Sequence, residues 1–356
     1  MSKYTDIVCL LERRIKRGYY VLHEFPPETS LSEEVGVARV TVRKALAQLI
    51  SQGLLTRLPN GRVALDRSSP QTKPQLAFLA PAYINSNDTN LCQSAARNAA
   101  TAAGANLHLV EYAQWDDPAI ANALRSFDGI FFKPWTEATP PHVIDAIRAS
   151  GRPVVAFDQD LTAFGIRSFC PFPPVFVQRL LDHCAGLGHR QIDCLNTQPI
   201  DPVIEQRIAQ WRIWLTAHGL TGTLHSIAST QPFQQGYELM QSLLVADRFK
   251  ASAVLCTTGP AAIGAMRALH EKQIQVGTDV SVCAVNDEGL GRYLVPSLTA
   301  IEMPDLVPQL TLCAQWMIRG GSDWIGPLLM QPAAAPLFVG ESVGPVREAC
   351  RVSGGN

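Results

Sequence analysis

Apolar residues recur at helical spacing in the first part of the chain, with charged residues on the other faces. One amphipathic helix is predicted by the apolar residues Ile7, Leu10, Leu11 and Ile15. After a break at Pro26-Pro27, the pattern Ser30-Leu-Ser-Glu33 has the form of a capping box and predicts that a second helix starts there. A third helix is predicted over about 38–52, with a buried face formed by Val42, Ala45, Leu46 and Leu49.

A short hairpin is predicted directly after the third helix. Gly53 stops that helix, and the turn Pro59-Asn60-Gly61 connects the strand-like runs Leu54–Leu58 and Arg62–Leu65. Gly36 lies between the second and third helices, where the chain needs a tight turn. Three helices followed by a hairpin predict a winged helix-turn-helix.

Beyond residue 74 the pattern changes to short apolar runs that alternate with helical segments. Buried parallel strands are predicted at Gln75–Ala80, Leu107–Val110, Gly129–Phe132, Pro153–Phe157, Gln191–Leu195, Ala253–Cys256 and Val280–Val285. The intervening helices are predicted at Asn90–Ala103, Pro141–Ser150, Val175–Leu187, Ile204–His218, Gln234–Leu244 and Ala261–Gln273. This alternation predicts a doubly wound α/β architecture, whose ligand crevice lies at the carboxyl ends of the strands.

The expected fold class is therefore α/β, with two domains. A winged helix-turn-helix domain is expected over residues 1–67, and the α/β body over 75–345. The polar, proline-bearing stretch between them predicts a linker at 68–74, and residues 346–356 form a C-terminal tail.

The charge is distributed unevenly, although the whole chain has a net charge of only −1. Residues 1–67 contain 11 Lys and Arg against 7 Asp and Glu, a net charge of +4, and the remainder carries −5. A basic head on an acidic body is expected when only the head contacts phosphate. On the third helix, Arg39 and Arg43 project from one face, away from the apolar stripe, and can reach guanine edges in a major groove. The alternative is that both are solvated surface arginines.

Cysteine usage and hydropathy point to the cytoplasm. The nine cysteines include no Cys-x-x-Cys pair, so neither a zinc module nor a disulfide framework is indicated, and reduced, mostly buried thiols are expected. The first 17 residues do not have the pattern of a signal segment, and no apolar run approaches the roughly 18 residues of a membrane span. A cytoplasmic protein with no membrane partner is therefore expected.

The stretch Phe25–Leu55 closely resembles the GntR-type winged-helix domain, over roughly residues 4–65. The resemblance implies that Arg39 and Arg43 read DNA, that Thr41 contacts a phosphate, and that the wing tip enters the minor groove. The full predicted DNA-binding set is Arg39, Thr41, Arg43, Lys44, Asn60, Gly61 and Arg62.

Two head positions depart from the GntR pattern. Thr29 stands where the family usually has a base-contacting arginine. Ala38 replaces the common Ser or Thr helix cap, whose loss typically costs about 1 kcal/mol. These departures bear on the operator sequence more than on DNA binding itself.

Three stretches of the body resemble the effector domains of lac-repressor-type regulators and, through them, periplasmic sugar-binding proteins. They are Gly186–Ile192, Arg207–Trp211 and the long match from Ile263 to Thr299. The resemblance covers about 75–345 and is stronger after Leu181. It implies two lobes, 75–168 with 302–330 and 169–301 with 331–345, with the ligand between them.

The resemblance also implies which residues contact the ligand. Asp158 follows a strand and matches an acceptor of ligand hydroxyls; a helix or turn cap is the alternative. Arg207 matches an arginine that holds hydroxyls or a carboxylate, and its planar five-donor fork suits both; an ion pair with a neighbour such as Glu205 is the alternative. Asn286 stands where the family commonly has an acidic contact, and Asp287 follows it.

Other positions in the body carry weaker signals. Tyr83, Trp115 and Trp135 follow strands and can stack on a sugar face, although plain packing is favoured for each; Tyr83 is included in the predicted effector site. Thr258-Gly259 replaces a usual Asn-Asp pair, and Gln231 lies where a stacking aromatic is common, so the pocket is altered. His183, Cys184 and His189 lack a further ligand at suitable spacing, so no metal and no cofactor are predicted.

The function expected from these observations is a ligand-responsive transcription regulator, acting as a repressor of carbohydrate genes. Its expected partners are double-stranded operator DNA, a small sugar-like effector and a second copy of the chain. A solute-binding receptor is the alternative, and the DNA-reading head speaks against it. An enzyme is the other rival, but the body has no catalytic dyad, phosphate loop or metal spacing.

Overall fold

The computed structural model describes residues 3–21, 24–66, 72–82, 86–334 and 336–346. The helices are α1 (Lys3–Lys16), α2 (Glu28–Val35), α3 (Arg39–Ser51), α4 (Asn87–Ala102), α5 (Pro118–Ser126), α6 (Pro141–Ser150), α7 (Val177–Gly186), α8 (Pro202–His218), α9 (Pro232–Val245), α10 (Gly259–Glu271) and α11 (Val307–Ile318). The strands are β1 (Leu55–Arg57), β2 (Val63–Leu65), β3 (Gln75–Pro81), β4 (Asn106–Tyr112), β5 (Gly129–Phe132), β6 (Val154–Phe157), β7 (Arg167–Phe169), β8 (Ile192–Asn196), β9 (Leu224–Ser226), β10 (Ala253–Cys256), β11 (Ser281–Ala284), β12 (Thr299–Ile301), β13 (Leu329–Met330) and β14 (Leu337–Phe338). No helix within these ranges is long and apolar enough to cross a membrane.

Helices α1 to α3 and the hairpin β1–β2 form the head. The apolar stripes of the three helices meet in one core, in which Leu11, Leu46 and Leu49 are fully buried. The two strands pair antiparallel, with Leu55 opposite Leu65. Gly36 ends α2 in the left-handed conformation, at φ 64°, which an L-residue with a side chain rarely adopts. The predicted winged helix-turn-helix is confirmed.

The start of α2 differs from the prediction. The helix begins at Glu28, immediately after Pro27 in an extended conformation, so Ser30 lies inside the helix and does not cap it. Pro27 is suited to this position because its ring fixes φ and ends the extended segment. The predicted capping box is therefore wrong.

The first lobe is built on a six-stranded parallel sheet with the order β13-β7-β6-β5-β3-β4. Helices α4 and α11 cover one face, where Phe78, Phe131 and Phe157 pack against Trp316 and Met317. Helices α5 and α6 cover the other face. The strands are buried on both sides, which explains their continuous apolar runs.

The second lobe has a six-stranded sheet with the order β14-β12-β11-β10-β8-β9, parallel except for β14. Helices α7 and α8 cover one face, and α9 and α10 the other. Helices α9 and α10 come so close that a Cβ built on Gly264 would lie 2.1 Å from the carbonyl oxygen of Phe233. The predicted doubly wound α/β body is confirmed.

The chain passes between the two lobes three times, after β7, after β12 and after β13. After the last crossing, residues 336–346 are woven into the second lobe. The hydroxyl of Ser342 donates to the carbonyl of Val282 (2.6 Å) and accepts the amide of Thr299 (2.8 Å). The second lobe is thus completed by a segment that follows the whole of the first lobe in sequence.

The head contacts the first lobe directly. The Asn106 side-chain amide donates to the carbonyl of Lys16 (2.8 Å), and Val21 is buried in the apolar cluster of the first lobe. Between them, Gly18 (φ 72°) lies against the ends of two side chains. A Cβ there would lie 2.3 Å from Oε1 of Gln75 and 2.4 Å from Nε2 of His108, so both ends would have to move aside.

The thiols largely follow the expectation. Of the cysteines in the described ranges, only Cys9 is exposed. Burial raises the pKa of Cys194 to about 12, so that this thiol stays protonated at neutral pH.

Candidate DNA-reading surface and interlobe cleft

Helix α3 presents the predicted reading residues on the outer face of the head. Arg39, Arg43 and Lys44 are exposed, and Thr41 is half-buried beside them. Their common orientation follows from burial of the opposite face, where Val42, Ala45 and Leu46 enter the core. The first turn of α3 contains no acidic residue, so nothing in that turn repels a phosphate.

Arg43 is held by a carboxylate from the preceding helix. Its Nε and Nη2 both donate to Oε2 of Glu28, at 3.1 and 3.0 Å. The arginine remains largely solvent-accessible, with 60% of its side chain exposed. Glu28 therefore orients the guanidinium of Arg43, and the outer edge of the guanidinium stays accessible for a contact with DNA.

The wing tip is a tight turn stabilised by its own side chains. Gly61 has a φ of 79°, and its carbonyl accepts a hydrogen bond from Nη1 of Arg57 (3.1 Å). Oδ1 of Asn60 accepts the amide of Arg62 (3.0 Å), and Arg62 forms an exposed ion pair with Glu24. Asn60, Gly61 and Arg62 are all exposed, as a groove-contacting tip requires.

In the body, polar residues follow the carboxyl ends of five strands, which is the edge where the ligand crevice of a doubly wound sheet lies. Lys133 follows β5 and Asp158 follows β6 in the first lobe; Asn196 ends β8, and Thr257 and Asn286 follow β10 and β11 in the second. Most of these side chains are buried. A set of polar residues at this edge, withdrawn from solvent, is typical of a small-molecule site.

Asp158 forms an ion pair with Lys133, which follows the neighbouring strand. Asp158 also adopts a left-handed backbone conformation, with φ at 62°, which is uncommon for residues other than glycine. Its carboxylate is partly accessible, whereas Lys133 is buried. The pair presents an acceptor and a cation together at the edge of the first lobe.

Arg207 is a buried arginine with incomplete hydrogen bonding. It lies in the second turn of α8 and is only 8% exposed. Nη1 donates to the carbonyl of Thr257 (2.9 Å), but Nε has no partner among the described residues. Burial lowers its pKa, and the charges of Asp201 and Asp88 act in the opposite direction. An unpartnered buried donor of this kind is what a ligand oxygen would satisfy.

Asn286 connects the two lobes. Its Oδ1 accepts the amide of Gly259 (2.6 Å), and its Nδ2 donates to Asp88, which lies in the first turn of α4 in the first lobe. Asp287 behaves differently, because its two oxygens accept the amides of Gly289 (2.9 Å) and Gly291 (3.2 Å) of its own loop. Asp287 therefore shapes the loop.

Sequence reasoning missed Asp88 and Glu288. Glu288 reaches across from the second lobe, and its carboxylate accepts the amide of Asp88 (3.0 Å) and the hydroxyl of Ser86. Burial raises the pKa of Asp88 to about 7, the charge of Glu288 adds to this, and the hydrogen bond from Asn286 opposes it. The sequence pattern predicts that α4 starts at Asn90, which puts Asp88 in a loop, whereas the helix begins at Asn87. No pattern in the sequence indicates that Asp88 belongs to the site.

The Thr258-Gly259 pair has a steric explanation. A Cβ built on Gly259 would lie 2.9 Å from the carbonyl oxygen of Asn286. A glycine therefore lets the start of α10 approach the end of β11. The hydroxyl of the adjacent Thr258 is buried and has no partner among the described residues, and it lies beside the Gly259–Asn286 contact.

The aromatic candidates are mostly packing residues. Trp115 and Trp135 contact Tyr112, with ring centroids 5.8 and 6.3 Å apart, at the edge of the first-lobe core. The packing alternative therefore describes both. Tyr83 lies outside the described residues.

Comparison with known families identifies both parts of the chain. The profile described as "Bacterial regulatory proteins, gntR family" matches residues 3–65. The profile described as "Periplasmic binding protein-like domain" matches residues 181–305. The two resemblances inferred from the sequence are confirmed.

Curated relatives match part of the chain. The HTH-type transcriptional regulator AscG of Escherichia coli K12 is 30% identical over 137 residues, 38% of this chain and 40% of the relative. The lactose operon repressor of the same organism is 29% identical over 126 residues, 34% of this chain and 33% of the relative. The ribose operon repressor of Haemophilus influenzae is 28% identical over 118 residues, 33% and 35% of the two chains. The chain thus spans at most about 40% of the length of these relatives.

Solved structures share the fold of the body. The lac repressor dimer bound to operator and the anti-inducer ONPF matches with a TM-score of 0.63 at 21% identity, over 77% of this chain and 96% of that one. A LacI family regulator from Enterococcus faecium with bound ribose matches with a TM-score of 0.64 at 17% identity, over 77% and 100%. The chain therefore carries a gntR-family winged-helix domain followed by a periplasmic-binding-protein-like domain with the fold of LacI-family transcription regulators.

Proposed function

We propose that this protein is a DNA-binding transcription regulator whose operator affinity is switched by a small sugar-like effector in the interlobe cleft. One observation carries the proposal. The same chain joins an exposed basic reading helix to a cleft in which a buried arginine, Arg207, has an unpartnered donor. In the simplest form of the proposal the regulator is a repressor of carbohydrate genes.

The arrangement of the head supports DNA binding. The predicted contacts Arg39, Arg43, Lys44 and Arg62 are exposed, and all have basic side chains. They lie on α3 and on the wing, the two elements with which a winged helix contacts a major groove and an adjacent minor groove or backbone. In the same proposal Thr41 contacts a phosphate, and Asn60 and Gly61 at the wing tip contact the minor groove.

The chemistry of the cleft supports a polyhydroxylated effector. The first lobe supplies an acceptor (Asp158) and a cation (Lys133), the second lobe supplies donors (Arg207 and Asn286), and sugars need both donors and acceptors. Two of the relatives are named for lactose and ribose operons, and one structural neighbour holds ribose. We therefore propose a mono- or disaccharide as the effector class.

The proposal includes an organisation for the whole molecule. Residues 1–67 are the DNA-binding domain, 68–74 the linker and 75–345 the two-lobed effector domain, followed by a tail at 346–356. The regulator works in the cytoplasm as a homodimer, since one head of this size buries too little surface for selective binding to DNA.

The test has two stages. Duplexes selected by the full-length protein from random DNA should share a pseudo-palindrome, and binding measured by fluorescence anisotropy should weaken steeply with salt. Isothermal titration with a panel of sugars, with and without the selected duplex, should then find a sugar whose affinity changes with DNA, typically 5–150-fold.

Each outcome separates the regulator from its rivals. If the protein selects no duplex, the result would favour the alternative function, a solute-binding receptor. A sugar that binds equally well with and without DNA would remove the regulatory coupling. Turnover of a bound sugar would favour an enzyme.

A further inference from the structure

The two lobes are joined at the cleft by contacts that do not involve any ligand. The amino terminus of α4, in the first lobe, has no side-chain cap of its own. Its cap comes from the second lobe, because the Glu288 carboxylate accepts the amide of Asp88 (3.0 Å) and the hydroxyl of Ser86 (3.2 Å), and the Asn87 side chain donates to the Glu288 carbonyl (2.7 Å). We call these contacts, with the Asp88–Asn286 hydrogen bond, the interlobe latch.

The latch brings two carboxyl groups together in a buried place. Glu288 is buried and Asp88 is half-buried, and the Oδ1 atom of Asp88 is buried without a hydrogen-bond partner among the described residues. Glu288 also has a left-handed backbone conformation (φ 53°), a strained state that concentrates at functional positions. Two adjacent carboxylates in such a place cannot both be charged without a cost that one proton removes.

We propose that closure of the two lobes takes up a proton at Asp88, beside the Glu288 carboxylate, so that the latch is stronger in acid than in base. This device acts without a ligand, although it shares Asn286 with the proposed effector site. It would bias the cleft before any sugar arrives.

The charges around Asp88 determine the direction of the effect. Glu288 and Asp287 of the second lobe disfavour its ionised form, whereas Lys133, after β5, favours it. The Asp88 charge is also felt by Arg207 on α8 and by Cys92 on its own helix. The net result is a pKa of about 7 for Asp88, raised chiefly by burial, above its usual value of 3.8.

The sign of the pH dependence follows directly. An acid whose pKa is raised in the closed state binds a proton on closure between its two pKa values. The closed form is therefore favoured as the pH falls from about 7 toward 4, by up to about tenfold per pH unit. Above pH 7 the equilibrium between the open and closed forms no longer changes with pH, and the closed form is least favoured there.

The experiment follows the lobe separation in full-length protein without DNA or sugar. Spin labels are attached to non-natural residues introduced at Thr136 and Ala228, which are both exposed. Thr136 follows β5 in the first lobe and Ala228 follows β9 in the second, so the distance between the labels reports the separation of the lobes. Their distance is measured by pulsed electron resonance from pH 5 to pH 8. The wild-type distance should lengthen as the pH rises through this range, and Asp88→Asn should remain short throughout.

The controls keep the result decisive. Asp116→Asn, an exposed substitution in the same lobe, should follow the wild type. If Asp88→Asn fails to fold, Glu288→Gln takes its place, and its transition should shift to lower pH because one repelling charge is gone. A wild-type distance that is constant with pH, or a wild-type transition retained in both latch variants, would overturn the proposal. Both results are obtained without sugar and DNA, so sugar binding and operator binding are left to their own tests.

Discussion

At the scale of single residues, Arg43 shows how an ion pair can prepare a DNA contact. The pair with Glu28 is solvent-exposed and contributes little to folding, since water and salt screen an ion pair at the surface. Its value is geometric: two donors on one carboxylate oxygen fix the plane of the guanidinium.

We expect Arg43→Ala to abolish specific operator binding while the fold is retained. A bidentate arginine–guanine contact is worth about 1–3 kcal/mol of discrimination, and a dimer loses two such contacts. Fluorescence anisotropy on the selected duplex and on a scrambled duplex measures the loss. Arg319→Ala, at an exposed site in the body, is the matched control. Wild-type discrimination by Arg43→Ala would mean that α3 is not the recognition helix.

Arg207 presents the opposite case, a buried guanidinium with one hydrogen bond to a backbone carbonyl and an unpartnered Nε. We expect Arg207→Met to lose sugar binding while the free energy of unfolding stays level or rises by about 1 kcal/mol, because an apolar chain avoids desolvating the charge. Urea denaturation and calorimetry measure the two effects. A loss of more than about 2 kcal/mol in stability would show that the guanidinium is needed by the fold rather than by a ligand.

At the scale of elements, the long central strands and helices were predictable and the short peripheral ones were not. Gly129–Phe132 and Ala253–Cys256 are continuous apolar runs, and they form strands over the predicted residues. The strands β7, β9 and β12 to β14 have two or three residues each, too few to show a period. Helices α5 and α11 were also missed, although α11 covers a large part of the first-lobe core.

The residues of the candidate site also fall into two groups, those that the sequence indicates and those that it does not. Asp158, Arg207 and Asn286 could be inferred because they match a family pattern at strand ends and a helix start. Asp88 and Glu288 could not, because each is a polar residue in a turn-rich stretch and their meeting depends on how two lobes close across about 200 positions of sequence. No local pattern encodes that distance.

The contact between α9 and α10 yields a stability prediction. We expect Gly264→Ala to lower the free energy of unfolding by about 1–3 kcal/mol, because the new methyl group meets the backbone of α9, which cannot move without repacking. Gly186→Ala is the matched control, since it lies in a helix with nothing within 4 Å of a built Cβ and should be neutral or slightly stabilising. Equal effects in urea denaturation would refute the close packing.

At the scale of the whole molecule, the head is seated on the first lobe as well as tethered to it. We expect Gly18→Ala to loosen the contact between the head and the first lobe, because the added methyl group would displace the ends of the Gln75 and His108 side chains and disturb the hydrogen bond between them. Amide exchange of residues 17–21 should accelerate. Gly36→Ala has a similar positive φ but open space around it, so it carries the same backbone strain without the collision. Unchanged exchange in Gly18→Ala would mean that the contact does not hold the head.

The proposed dimer is tested by sedimentation of the purified protein at micromolar concentration. We expect a species of twice the chain mass that binds one selected duplex per dimer. A protein that sediments as a monomer both alone and on its DNA would contradict the two-headed arrangement, whatever its affinity for sugar.

The weaving of residues 336–346 into the second lobe has a consequence for synthesis on the ribosome. The head and most of the first lobe can fold as they emerge, whereas the sheet of the second lobe lacks β14 and the bonds of Ser342 until this last segment has left the exit tunnel. A nascent chain can therefore hold a folded head before its second lobe is complete. Until residues 336–346 have emerged, chaperones would meet a second-lobe sheet in which β12 lacks its antiparallel partner β14.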